Sequence, residues 1–140
     1  MQNDSLLLQP MRDEVTRLGA SELRSASEVE KFMTDADHTA LVFVNSVCGC
    51  AAGNARPSLA LALGETAGPK PARVATVFAG QDVEATERFR AFFPQIAASS
   101  PAFYLIKGGE VVKHVPRQGI EGRAATVIAQ DLETAFSEYC

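Results

Sequence analysis

Two stretches of the chain are apolar without alternating, TALVFVN at 39–45 and ARVATVFA at 72–79. Runs of that length, rich in β-branched residues, predict strands covered on both faces. Two further runs, 102–107 and 110–115, flank Lys107-Gly108-Gly109 and predict a hairpin. Between these lie segments of helical period. PMRDEVTRL (10–18) places Met11, Val15 and Leu18 on one face, has a proline in its first turn and meets Gly19 as a stop. SEVEKFM offers Ser27 and Glu30 as a capping box before a stripe of Val29, Phe32 and Met33. AAGNARPSLALAL (51–63) is helical with Pro57 inside, where a kink is expected. DVEATERFRAFF (82–93) is a helix capped by Asp82 and stopped near Pro94. EGRAATVIAQDLETAF lines up Ala125, Ile128, Leu132 and Phe136. A short ELRS after the first helix reads as an edge strand, and GPKP at 68–71 as a break.

Strands alternating with helices and closing on a hairpin imply an α/β fold, a central mixed sheet flanked by helices on both faces. The order is thioredoxin-like: in that fold a redox motif follows a central strand and a proline precedes the first hairpin strand. Ser100-Pro101 stands at that place, where a cis peptide beside the motif is expected. No repeat or linker divides the chain, so residues 1–140 read as one domain, with 1–9 a flexible or loosely attached segment.

The totals narrow the function. At 140 residues and 46% hydrophobic the chain buries a core without needing a disulfide or metal. A net charge of −4, with basic residues scattered, argues against nucleic-acid or membrane-surface partners. No run approaches the roughly 18 apolar residues of a membrane helix, and the start lacks the pattern of a secretory signal. The expected location is the cytoplasm. Three cysteines are too few, and odd in number, for a structural disulfide framework.

Two of the three stand one residue apart in NSVCGCAAGNARP (45–57), at the corner where the strand gives way to a helix. The attacking species in thiol–disulfide exchange is the thiolate, and a helix N-terminus lowers a thiol's pKa. Cys48 sits at that corner. No Lys or Arg occurs between 41 and 55, which leaves the lowering to backbone amides, with Arg56 as a possible assistant. A ring closed across one residue is tighter than that of Cys-x-x-Cys, so Gly49 is expected to supply a sharp bend. A strained small-loop disulfide is easily reduced, which suits a transient bond better than a staple.

Other readings of the pair stay open. It could be half of a tetrahedral metal site, but the remaining ligands, His38, His114 and Cys140, come singly and far apart. It could also be two small core residues. His38 and His114 read more readily as loop or strand residues than as bases, and Phe103 and Tyr104 as sheet residues. Cys140 reads as a free terminal thiol, or as a second-site thiol without local activation.

NSVCGCAAGNARP, with GQDVEATERFR (80–90), SSPAF (99–103), IEGR (120–123) and the terminal SEYC, resembles the bacilliredoxins, small thioredoxin-like bacterial proteins once described as disulfide isomerases. The likeness runs from about Met11 to the end. It implies an oxidoreductase that removes bacillithiol, or a related low-molecular-weight thiol, from S-thiolated cytosolic client proteins. No tightly bound cofactor is implied; the small thiol is a co-substrate. By this resemblance Cys48 attacks, Cys50 resolves, and Gly49, Ser100 and Pro101 form the substrate side. HVPRQGIEGR, before the last helix, departs from family members that are more charged or carry histidine, and so bears on ligand preference. A general disulfide isomerase using the same thiols, a noncatalytic redox sensor and a metal- or cluster-binding module are the alternatives. Oligomeric state is not read from this sequence.

Overall fold

A computed structural model of the protein describes residues 2–35, 38–64 and 68–140, with side chains from Leu6 onward. The elements run α1 (Gln2–Thr16), β1 (Ser21–Glu22), α2 (Ala26–Thr34), β2 (Ala40–Asn45), a π-helical turn (Ala51–Ala55), α3 (Arg56–Leu63), β3 (Arg73–Phe78), α4 (Val83–Ala91), β4 (Ala102–Lys107), β5 (Glu110–Val115), a 3-10 turn (Arg117–Gly119) and α5 (Ala125–Tyr139). The five strands form one sheet in the order β1-β3-β2-β4-β5. β3 pairs parallel with both β1 and β2, while β4 is antiparallel to β2 and to β5. The sheet is mixed, as the element order requires.

Burial on both faces explains why β2 and β4 do not alternate. Leu41, Phe43, Phe103 and Leu105 face one core with Val15 of α1, Leu59 of α3 and Ile128, Leu132 and Phe136 of α5. Val42, Val44, Tyr104 and Ile106 face the other, with Val29 of α2 and Ala85 and Phe89 of α4. Phe43 opposes Phe103 in the antiparallel register and stacks on it at 4.9 Å between centroids. In the hairpin, Gly108 and Gly109 take φ of 60° and 81°, the left-handed pair that a two-residue turn demands.

Local signals were displaced more often than absent. The cap of α2 is Ser25, whose hydroxyl accepts from Glu28 N–H at 3.2 Å, while Glu28 carboxylate accepts from Arg24 N–H at 2.7 Å. The expected box of Ser27 and Glu30 therefore lies two residues too late. Asp82 stands at the N-cap of α4, yet its carboxylate makes no cap bond. It takes both prongs of the Arg12 guanidinium at 2.7 and 3.1 Å instead. Arg12 also reaches Glu22 at 2.8 Å and lies over the Phe78 ring, tying α1 to the β1–β3 edge. Burial opposes the charge on Arg12, but Asp82 and Glu22 outweigh it and the guanidinium's pKa is raised.

Helix α1 begins at Gln2, not at Pro10, so the stretch before Pro10 is helical, with Leu8 buried and Leu6 and Leu7 exposed. Pro57 produces no kink inside α3, because it falls in the first turn of that helix. The N–H of Arg56 donates to Ala51 carbonyl across five residues, a π spacing. The next residue, Pro57, has no N–H to extend it, so the π turn stops there and α3 starts. Among the described residues no helix is long and apolar enough to cross a membrane.

Candidate active site

The carboxyl end of β2 leads into the cysteine corner. Asn45, almost fully buried, ends the strand, and Ser46 N–H donates to its Oδ1 at 2.9 Å. Cys48 N–H then donates to Ser46 Oγ at 3.2 Å, so the serine hydroxyl folds the chain back on itself. Gly49 and Cys50 are already helical and run into the π turn. The carbonyl of Cys48 accepts from Ala51 N–H at 3.1 Å and Ala52 N–H at 3.3 Å. Cys48 is thus the first residue outside a helical run, where amide hydrogens lack intrahelical acceptors and favour a thiolate.

Cys48 and Cys50 are joined as a disulfide, with their Cα atoms 5.5 Å apart. Their surroundings differ. Cys48 is partly exposed between Val47, which is 50% accessible, and the exposed Gly49. Cys50 points inward and is 9% accessible.

Gly49 does not do what the tight ring suggested. Its φ lies outside the left-handed region, and a Cβ built on it would meet nothing within 4 Å. Its backbone is ordinary helix, which any residue adopts. Gly49→Ala is accordingly expected to leave stability unchanged or to raise it by up to about 1 kcal/mol, the usual helical gain over glycine. Urea unfolding of the oxidised protein measures this, and a loss above about 1 kcal/mol would show that the bend does need glycine.

Arg56 is turned away from acting on the sulfurs directly. It is 3% exposed, and its Nη1 donates to Asn45 Oδ1 at 2.9 Å and to Ser46 carbonyl at 3.0 Å, while Nε donates to Glu14 at 2.8 Å. Asn45 Nδ2 in turn donates to Met11 carbonyl at 3.3 Å. The arginine therefore holds the corner from beneath and binds it to α1. Sequence reading named Arg56 without its direction and missed its partners: Glu14, in α1, and Asn45, whose only local signal was the polar pair Asn45-Ser46 ending an apolar strand.

The Ser100–Pro101 peptide is cis, as expected from its position. The register sets Val44 against Ala102, so Pro101 enters β4 at the sheet end from which Cys48 emerges. Pro101 is buried and Ser100 partly exposed. Two bonds tie the neighbouring loops to this end. Arg117 N–H donates to Ser99 Oγ at 2.7 Å, and Asn54 Nδ2, one turn beyond Cys50, donates to the Arg123 carbonyl.

The other candidate ligands lie elsewhere. His114 packs on Tyr104 at 4.5 Å, with burial holding its pKa below the ordinary value. Cys140 is free at the end of α5. Burial pushes its thiol up, against opposing effects of a Thr39 hydrogen bond and the Lys107 charge. Thr39 and Lys107 mark the opposite end of the sheet, so Cys140 is separated from Cys48 by the length of β2, about 20 Å at the strand rise. Among the described residues no three His, Cys, Asp or Glu side chains group as metal ligands.

The chain is similar to known proteins over nearly its whole length. Residues 4–140 match the family model described as disulphide isomerase. A bacilliredoxin of Salinibacter ruber is 53% identical over 135 residues, covering 96% of this chain and 79% of that one. One from Geobacillus kaustophilus is 48% identical over 134 residues, covering 96% and 92%. Among solved structures, Fasciola hepatica thioredoxin superimposes with a TM-score of 0.55 at 19% identity, over 86% of this chain and 99% of that one. Oxidised thioredoxin O2 of Arabidopsis thaliana gives 0.55 at 15% identity, over 86% and 96%. These two establish the thioredoxin-like fold alone. Taken with the relatives and the paired cysteines, they place the chain in the bacilliredoxin family, as a thiol–disulfide oxidoreductase.

Proposed function

We propose that this oxidoreductase removes bacillithiol, or a related low-molecular-weight thiol, from mixed disulfides on cytoplasmic client proteins. The observation that carries the assignment of roles is the unequal exposure of the pair. Cys48 is reachable from solvent at the start of the helical run, and Cys50 lies beneath it, 9% exposed. An incoming disulfide meets Cys48 first.

The thiolate of Cys48 attacks the sulfur of the small thiol in the mixed disulfide. A new bond joins Cys48 to that thiol, the old bond breaks, and the client cysteine leaves as a thiolate that takes a proton from water. The Cys50 thiolate then attacks Cys48 Sγ, forming the Cys48–Cys50 disulfide and releasing the small thiol. Two further equivalents of a low-molecular-weight thiol reduce that disulfide and leave as their own disulfide. Gly49, Ser100 and Pro101 form the substrate side of this exchange.

The test is a trap. Cys50→Ser, treated with a bacillithiolated client, should accumulate one bacillithiol on Cys48, seen as a reducible adduct by peptide mass spectrometry. Adduct on Cys140, or adduct joining protein to client instead of to the small thiol, would contradict the proposed order. The family description favours a second reading, a general disulfide isomerase. Turnover of a scrambled protein substrate with no small thiol present distinguishes it.

A further inference from the structure

We propose that the cleft between Arg90 and Arg117 is a subsite for the carboxylate-bearing part of the small thiol that exchanges with Cys48. The inference rests on the proposed reaction and adds the chemical class of its co-substrate. The cleft is ≈ 380 Å³ and is lined by Arg90, Ala98, Ser99, Ser100, Arg117 and Gln118. That volume suits a small molecule. Two guanidinium groups and no carboxylate line it, on a chain whose net charge is −4.

Position links the cleft to the thiols. Ser100 belongs both to its wall and to the cis peptide that enters β4 beside the end of β2. The segment from Arg117 to Arg123 bridges cleft and cysteine helix, bonded to Ser99 at one end and to Asn54 at the other. The cleft wall thus includes a residue at the sheet end that carries the Cys48 corner.

Arg117 has capacity to spare, and Arg90 is held beside it. Arg117 pairs with Glu121 at 3.3 Å in an exposed i,i+4 contact, a type worth only about 0.3–0.5 kcal/mol, so an incoming carboxylate can replace it. Arg90 spends Nη2 on Ser99 carbonyl at 3.1 Å, which fixes the guanidinium against the cis-proline loop. Its Nε hydrogen, itself buried, has no acceptor among the described residues. Burial raises the neighbouring Tyr104 phenol, while the Arg90 charge and hydrogen bond oppose this. A guanidinium's planar fork recognises a carboxylate two hydrogen bonds at a time.

The experiment opens the Cys48–Cys50 disulfide with excess mercaptosuccinate, which carries two carboxylates, or with uncharged 2-mercaptoethanol, at low salt. One thiolate attacks Cys48 Sγ and expels Cys50 as thiolate, and a second thiolate displaces the adduct as the small-molecule disulfide. Protein thiols are counted by alkylation and mass spectrometry. In Arg117→Gln the rate ratio of mercaptosuccinate to mercaptoethanol should fall roughly 10-fold, as for loss of one charge-assisted hydrogen bond. Arg117→Lys should recover only part of it, since an ammonium has no fork. Arg17→Gln, which removes an exposed charge after α1, should stay within about twofold. An unchanged ratio in Arg117→Gln, or an equal fall in Arg17→Gln, overturns the subsite while leaving thiol exchange intact. If neither thiol opens the disulfide of the unaltered protein, the exchange reading itself fails and the subsite falls with it. The mercaptoethanol rate of each variant reports whether its corner is still folded.

Discussion

Cys48→Ser should reduce release of a small thiol from a thiolated client to the uncatalysed rate, a loss of at least about 10³-fold, as for removal of an enzyme nucleophile. A serine hydroxyl is a poor nucleophile without a base and forms no S–S bond with the departing thiol. Cys50 cannot take over, because it lies beneath Cys48 with 9% of its surface accessible. Cys140 cannot either, because it sits at the opposite end of β2 with its thiol pushed toward the protonated form. Unfolding is not a competing explanation. The disulfide closes a loop of three residues, and loop-closure scaling assigns such a ring only about 1–2 kcal/mol. Single-turnover release of a labelled thiol, with a circular dichroism melt of the same sample, separates loss of chemistry from loss of fold. Activity of Cys48→Ser above one-tenth of the unaltered protein would transfer the attacking role to another thiol. Cys50→Ser should behave differently, completing the first exchange near the normal rate and stopping as the adduct.

The parts of this site that could be read from sequence are those whose physics is local. A strand covered on both faces leaves a continuous apolar run, so β2 and β3 were visible, and two glycines between strand patterns fixed the hairpin. The cysteine corner was visible for the same reason: a buried strand must end before a helix can start, and Cys48 stands at that change of period. Side-chain destinations were not visible. Asp82 has the right residue type and place for a cap, but its carboxylate is drawn to a buried guanidinium 70 positions away, whose charge needs it more than the helix amides do. Gly49 was assigned a bend from ring size, whereas its φ lies outside the left-handed region and its backbone is one that other residues adopt. The π turn was hidden because it depends on where Arg56 and Pro57 fall relative to Ala51, and Pro57 signalled only that some break was coming.

Arg56 is where that long-range physics should have its largest effect on stability. Its guanidinium is buried and feeds three acceptors at once, Glu14, Asn45 and Ser46, and two of these are themselves buried and precede Cys48 by only two and three residues. Arg56→Ala leaves the Ser46 carbonyl without a donor and opens a cavity beneath the corner. The expected cost is about 2–4 kcal/mol, the range for an orphaned buried acceptor combined with lost packing. For a chain of this size the melting temperature should drop by roughly 8–15 °C. Arg56→Met keeps most of the stem's volume, so the difference between the two variants isolates the cavity from the hydrogen bonds. Glu14→Gln should cost under about 1 kcal/mol, because Glu14 is 41% exposed and its ion pair is screened by water. Urea midpoints at constant m-value measure all three. The network also predicts where the loss appears first. With Ser46 no longer held, the Cys48 N–H bond to Ser46 Oγ should open, and hydrogen exchange at that amide should accelerate more than at the centre of β2. If Arg56→Ala costs under about 1 kcal/mol and the Cys48 amide stays protected, the corner is held by its own turn and not from beneath.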